Sequence, residues 1–343
     1  MKILVTGGTG LLGNNLIRTL CAGGGDVVAL IRQDPDPQVF QGVEVALARS
    51  ELVASQDSSG SEGDALEAAI EACDAVVHSA GMIHIGWQQM DSSMRVNRDG
   101  TERIASACRR FGKKLVYVGT VDALAVASRQ TVADESTPIT HAGGKIPCAY
   151  VQSKRAGLEV VRRGVTEGLN AVMVHPGFML GPWDWKPSSG RMMLELAKGW
   201  KPIAPSGGCS LCDVRDVAQA IATAVREDID PGREYILAGH NWTYLKLWTE
   251  MAERMGKRPP IRRAGPGMEY LAGLFGDLWA WGSGKEPDVN SAGVKMSAQY
   301  HWYSSHRAET ELNYQIRAAE QTLDDAAEWI LERFILPGKG SDS

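Results

Sequence analysis

Short apolar runs alternate with amphipathic stretches through the first two-thirds of this 343-residue chain. The runs 2–6, 26–31, 43–47, 74–79, 114–119, 170–175 and 233–237 have the length of buried strands. Between them, apolar positions at helical spacing predict helices at 11–22, 64–72, 91–111, 150–167 and 213–226. Strands alternating with helices predict right-handed β-α-β units and a parallel sheet covered on both faces. The stretch 48–64 is rich in Ser, Gly and acids and predicts a surface loop. Past residue 180 the pattern loosens, and Trp, Pro and Gly crowd together in "GPWDWKPSSG" (181–190). The return to strand-like sequence at 233–237 predicts interleaved lobes. Residues 1–180 plus 209–240 are expected to form one domain, and 181–208 plus 241–335 a smaller C-terminal lobe, with 336–343 as a tail.

Composition narrows the class. Hydrophobic residues make up 44%, enough for a large core. A net charge of −5 gives no electrostatic reason to expect nucleic acid or an anionic membrane surface as a partner. The most apolar window, 270–284, is broken by Asp277 and by glycines, so no membrane span is expected. The six cysteines (21, 73, 108, 148, 209, 212) are scattered, which suits reduced thiols. The chain starts directly on the strand pattern Lys2-Ile3-Leu4-Val5, so a cytoplasmic protein is expected rather than a secreted one.

"VTGGTGLLG" (5–13) sets Gly7, Gly10 and Gly13 after a strand and at the start of a helix. Glycines there allow a tight turn and close approach of backbone to a pyrophosphate, whose charge faces the free N–H groups of the helix start. The fold expected is therefore a Rossmann-type doubly wound α/β sheet, with Thr9, Leu11 and Leu12 beside the glycines at the cofactor. Many such proteins end the second strand in an acid that holds the ribose of NAD. Here Ile31 stands in that place and Arg32 follows. A guanidinium pairs a 2′-phosphate, so NADP(H) is preferred and NAD(H) remains possible.

"PCAYVQSKRAG" (147–157) sets Tyr150 and Lys154 four apart, on one helical face. An ammonium about 5 Å from a phenol, at an effective dielectric near 20, favours the phenolate by roughly 3 kcal/mol, or about two pKa units. That would bring the phenol towards working pH as a general acid–base. Thr120, ending the strand at 114–119, offers a hydroxyl to orient a substrate oxygen.

Together these segments resemble the extended short-chain dehydrogenase/reductase family, also called the NAD-dependent epimerase/dehydratase family. "HSAG" (78–81) is similar to the family turn beside the cofactor, carrying Ser79, Ala80 and Gly81. "VNRDGT" (96–101) is similar to the segment that carries Asn97, which the resemblance assigns to supporting the lysine through water. "HPGFMLGP" (175–182) resembles the segment that closes over nicotinamide, with His175 and Gly177 at the cofactor. The resemblance is greatest to the dihydroflavonol-4-reductase-like and 3β-hydroxysteroid-dehydrogenase-like branch, and to bacterial proteins named hopanoid-associated sugar epimerases. Two departures stand out. Gly119 replaces a hydroxyl residue common beside Thr120, and His175 replaces an arginine frequent in sugar-nucleotide epimerases.

The resemblance implies hydride transfer between NADPH and a ketone or secondary alcohol. Tyr150 is the acid–base, Lys154 tunes it and holds the ribose, and Thr120 orients the oxygen. His84, Trp87, Val121, Asp122, Phe178, Met179 and Trp183 are the expected substrate contacts, and their apolar character suits a bulky, largely apolar small molecule. Two alternatives remain open: a nucleotide-sugar epimerase or dehydratase with tightly bound NAD(P), and a non-catalytic dinucleotide-sensing or scaffold protein. For the diphosphate of a nucleotide sugar, Arg191, Lys198, Lys201, Arg262 and Arg263 are candidates. Cys209 and Cys212 have no second pair of ligands, so no metal site is expected. Relatives often pair through the helices at 91–111 and 150–167, which makes a homodimer the expected assembly.

Overall fold

The computed structural model describes residues 1–53, 62–138 and 146–336. Of the loop expected at 48–64, residues 54–61 lie outside the described residues, while 48–49 end a strand and 62–64 begin a helix; the tail expected at 336–343 lies outside them apart from Leu336. From the N terminus run β1 (Lys2–Thr6), α1 (Leu11–Ala22), β2 (Asp26–Ile31), β3 (Ala46–Arg49), α2 (Glu62–Glu71) and β4 (Ala75–His78). There follow α3 (Met90–Met94), α4 (Gly100–Arg110), β5 (Lys114–Val118), α5 (Ala149–Thr166) and β6 (Ala171–Pro176). The second half contains β7 (Phe178–Leu180), α6 (Arg191–Lys198), β8 (Ile203–Ala204), β9 (Gly208–Asp213), α7 (Val214–Arg226) and β10 (Glu234–Leu237). It ends with β11 (His240–Thr243), α8 (Tyr244–Arg254), β12 (Arg262–Arg263), α9 (Pro266–Ser283), α10 (Ser291–Ser297), β13 (Tyr300–His301), α11 (His306–Glu311) and α12 (Ala319–Ile330).

Seven strands form one parallel sheet in the order β10-β6-β5-β4-β1-β2-β3. Strand residues alternate between its faces. Ile3, Val5, Val27, Ala29 and Ile31 bury against α1 and α7, whereas Leu4, Val28 and Leu30 bury with residues of α2, α4 and α5. Each large apolar side chain so buried contributes about 1.5–3 kcal/mol. Apolar runs are needed on both parities because both faces are covered. The result is the expected doubly wound α/β architecture.

A smaller sheet, β11-β9-β13 with β7 on β9, stands beside the main one. A third core joins it to α6, α8 and α12 through Leu211, Met193, Leu247, Met251 and Leu323. The chain leaves the main sheet after β6 and comes back for β10, so the C-terminal elements are interleaved with the first.

Two predicted elements differ. Pairing of the third strand begins at Ala46 opposite Val28, not at Val43. Val43 and Val45 instead pack sideways on the α1 face. The helix predicted at 91–111 is interrupted by a π-helical turn over Arg95–Asp99, which separates α3 from α4. Gly157 lies against it: a Cβ there would come within 2.4 Å of the Asn97 carbonyl oxygen.

Candidate active site

The glycine loop is shaped by contacts that no side chain would permit. Gly7 has φ +74°, and a Cβ on it would lie 2.8 Å from the Ala80 nitrogen. A Cβ on Gly13 would lie 2.1 Å from the Gly7 carbonyl oxygen. Gly10 caps α1 with no side-chain hydrogen bond, and the first turn of α1 holds no acid. The leading N–H groups therefore keep an electropositive end for an anion. Thr9 lies in this turn, while Leu11 and Leu12 point into the core. The loop and the bare helix start fit a dinucleotide pyrophosphate.

The wall opposite is the 78–81 turn. His78 is buried, with Nδ1 2.8 Å from Thr6 Oγ1 and Nε2 3.1 Å from Thr101 Oγ1. Burial, with Lys154 nearby, lowers its pKa to about 3, so the ring is neutral. Ser79 Oγ donates to the Thr6 carbonyl (2.6 Å), and the Ala80 N–H donates to Thr6 Oγ1 (3.1 Å). Thr6 and His78 thus fix this turn, a role that spacing alone did not reveal although "HSAG" contained the histidine.

Tyr150 and Lys154 are both buried near the start of α5, and Thr120 is buried at the end of β5. A Cβ on Gly81 would lie 2.9 Å from Lys154 Nζ and 3.1 Å from Asn97 Oδ1, so this glycine leaves a slot at the lysine head. Lys154 Nζ donates to the Val118 carbonyl (3.4 Å), and burial lowers its pKa to about 8. Asn97 accepts from the Met82 N–H (2.8 Å) and donates to the Met82 carbonyl (2.8 Å) and to Ser153 Oγ (2.9 Å). Asn97 therefore holds the 81–82 backbone against α5.

The electrostatics of Tyr150 run opposite to the sequence expectation. Burial and the Asp122 carboxylate push its hydroxyl above the usual phenol range, and the Thr120 hydroxyl pulls it partly back. Spacing reveals the ammonium but not the enclosure, and desolvation and the nearby acid both favour the neutral phenol. Asp122 faces His301, whose Nδ1 is 3.0 Å from its Oδ1. His301, far off in sequence on β13, carried no local signal.

The other expected contacts divide. His84 and Trp87 belong to a loop clamped by Glu286, which takes His84 Nε2 (2.8 Å) and accepts from the Trp87 N–H (2.8 Å). The same loop holds α5, since the His84 carbonyl accepts from the Tyr150 N–H (3.1 Å). Val121 is buried beside Thr120, and its carbonyl accepts from Tyr303 Oη (3.0 Å). Gly177 fits tightly under Ser210, while Phe178 packs towards the third core and Met179 towards the main one. Trp183, at φ +68°, stacks with Trp185 and Trp329 under the Arg18 guanidinium, on the α1 side.

His175 is fully buried, and its Nε2 lies 2.9 Å from Glu234 Oε2. Burial pushes the Glu234 carboxyl up, but hydrogen bonds from His175 and Arg162 outweigh it and hold the pKa at about 2. A Cβ on Gly119 would lie 2.6 Å from His175 Nδ1. The two departures at 119 and 175 thus explain each other. Arg32 is exposed at the end of β2 and makes no ion pair among the described residues, while its neighbour Asp34 is paired with Arg49. Burial pushes the Cys209 and Cys212 thiols far up, which leaves them inert.

The model of the NAD dependent epimerase/dehydratase family matches residues 3–238. A putative dihydroflavonol 4-reductase of Synechocystis is 29% identical over 332 residues, covering 95% of this chain and 93% of that protein. Sterol demethylase protein B of Methylococcus capsulatus is 25% identical over 337 residues, covering 97% and 99%. Among solved structures, that of gox2253 superposes with a TM-score of 0.81 at 29% identity, over 97% of this chain and 98% of its own. With the match running from β1 through β10, this chain belongs to the NAD dependent epimerase/dehydratase family, the extended short-chain dehydrogenases/reductases.

Proposed function

We propose that the protein is an NADP(H)-dependent reductase of a ketone on a bulky, largely apolar small molecule, or oxidises the corresponding secondary alcohol. The observations that carry this reading are the Thr120 hydroxyl bonded to the buried Tyr150 hydroxyl, and the buried Lys154, one helical turn on, at the slot left by Gly81. In this reading residues 1–180 plus 209–240 hold the cofactor and 181–208 plus 241–335 form the substrate lobe. When bound, the nicotinamide supplies the hydride. Thr120 Oγ1 orients the carbonyl oxygen, and Tyr150 Oη gives it a proton as charge builds there. Lys154, below its pKa of about 8, stabilises the tyrosinate left behind and returns the proton. Burial and the Asp122 carboxylate keep Tyr150 protonated until transfer.

The similarity to a dihydroflavonol 4-reductase and to a sterol demethylase protein supports reduction of an apolar substrate. Of the five cations the epimerase reading would use, three are engaged by acids, while Arg262 and Arg263 make no ion pair among the described residues. Arg191 is paired with Asp288, and Lys198 and Lys201 share Glu195 at 2.6 and 3.6 Å. The test offers aromatic and alicyclic ketones with NADPH, beside nucleotide sugars without added cofactor. Loss of NADPH absorbance in step with alcohol formation is expected. Conversion of a nucleotide sugar with no net cofactor change would overturn the reading.

Cofactor choice is a separate expectation. Arg32, unengaged by any acid among the described residues, is positioned in sequence to pair the 2′-phosphate. NADPH should bind about tenfold more tightly than NADH, a difference of about 1.4 kcal/mol, and Arg32→Ala should erase it. Equal affinities in the unaltered protein would show that Arg32 is an ordinary surface residue.

A further inference from the structure

Helix α9 is built inside out for a soluble surface. Its buried stripe is small: Gly273, Gly276 and Ala280. Gly273 and Gly276 press on the backbone at Ser291 and Val289, where a Cβ would come within 2.9 and 1.9 Å. The opposite arc carries Tyr270, Leu271, Leu274, Phe275, Leu278, Trp279 and Trp281, all exposed, with Trp281 at 88%. At 100° per residue these side chains fan over about half the helix circumference. Both acids of the helix point away from the arc: Glu269 accepts from the Ser206 N–H (3.3 Å) and Asp277 from the Ser291 N–H (3.0 Å). The exposed arc therefore holds no charge.

Cations stand at both ends of this arc. Lys257, Arg258, Arg262 and Arg263 precede α9, and Lys285 follows it; all five are exposed. None forms an ion pair among the described residues, unlike Arg191, Lys198 and Lys201 of the same lobe. The concentration is local, because the chain as a whole has a net charge of −5. The apolar surface also continues towards the site. Ile83, Ile85, Trp87 and Val289 are exposed beside α9. The 83–87 loop is tied to the start of α10 through Trp87 Nε1 on Ser291 Oγ (2.8 Å) and Asn290 Nδ2 on the Ile85 carbonyl (3.0 Å), and that segment packs on α9.

We propose that α9 is an interfacial helix, whose apolar arc enters the boundary of an anionic lipid surface while the flanking cations engage the headgroups. Exposed Trp and Tyr on an uncharged apolar arc, with cations beyond its ends, are the anchors that hold a segment at a bilayer surface. Its length of about 27 Å lies flat, and no helix among the described residues is long and apolar enough to cross. Charge decides against a second copy as occupant. In a two-fold pair of antiparallel α9 helices, the arginines at one end would face Lys285 at the other. An anionic surface neutralises both ends. Through the 83–87 loop, the lipid boundary reaches the start of α5, the end of the molecule that carries Tyr150. Delivery of an apolar substrate along that route rests on the reductase reading; attachment to lipid does not.

The full chain should float with vesicles of phosphatidylcholine and phosphatidylglycerol and should stay behind with phosphatidylcholine alone. No substrate is needed, so the outcome is independent of turnover. Arg262→Gln and Arg263→Gln should each weaken binding about fivefold, with a matching loss of salt dependence. The pair Trp279→Ser and Trp281→Ser should abolish it. Unchanged thermal melting of these surface variants verifies their fold. Absence of flotation with the anionic vesicles, or parental flotation by both variant pairs, would overturn the proposal. So would a dimer in solution that dissociates on the tryptophan changes, which would assign the face to a second copy.

Discussion

Tyr150→Phe lowers turnover by about 10²–10⁴-fold and leaves cofactor affinity unchanged. The ring is buried near the start of α5 and its packing survives the loss of one oxygen. What is lost is the proton donor, a general-acid contribution that corresponds to about 2.7–5.5 kcal/mol of barrier. The donor is a strong candidate because burial and Asp122 both hold its proton in place, so the tyrosinate forms only when the substrate oxygen demands it. The measurement is single-turnover kinetics beside titration of NADPH fluorescence. Turnover within severalfold of the parent would remove Tyr150 from the mechanism, and loss of cofactor binding would make the change structural.

Gly119→Ser destabilises the folded chain by about 1–3 kcal/mol, the usual cost of overfilling a packed interior. The new Cβ would sit 2.6 Å from His175 Nδ1, and the imidazole has nowhere to go. Its Nε2 is held by Glu234, and Glu234 is held by Arg162 at 2.7 and 3.0 Å. Adding His175→Ala should return much of the loss, because the room reappears, and the two changes should be strongly non-additive. Urea unfolding of the two singles and the double reads this directly. A Gly119→Ser protein as stable as the parent would mean that the ring moves freely, and the explanation of both family departures would fail with it.

The main sheet was legible because its strands, apart from the exposed edge strand β3, are buried and apolar on both parities, which a doubly covered sheet requires. The glycine loop was legible because Gly7 and Gly13 leave no room for any other residue, and the Tyr150–Lys154 spacing because both side chains share one face of α5. Other features were hidden for physical reasons. Glu286, which fixes the His84 loop, and His301, which faces Asp122, lie more than a hundred positions away from their partners, and no period connects them. Strands β8, β12 and β13 are two residues long, too short to show alternation. The raised pKa of Tyr150 depends on enclosure, which spacing does not encode. Helix α9 read as an interrupted apolar segment because its small residues face inward and its large ones outward, the reverse of the usual stripe.

The π-helical turn at Arg95–Asp99 has a consequence for how this chain can change its length. Such a turn amounts to one residue more than the α-helix on either side would accommodate. Deleting any single residue from it would let α3 and α4 join as one regular helix, at little local cost. The widened turn absorbs the extra residue, so α3 and α4 would keep their faces and the change would fall on the turn itself, where Asn97 sits. Asn97 would swing away from Ser153 and Met82, and the Met82 backbone would lose both hydrogen bonds that hold it to α5. A helix that tolerates the loss of a residue in its own geometry is thus intolerant of it in this molecule, and chain length across 90–110 is constrained by one amide side chain.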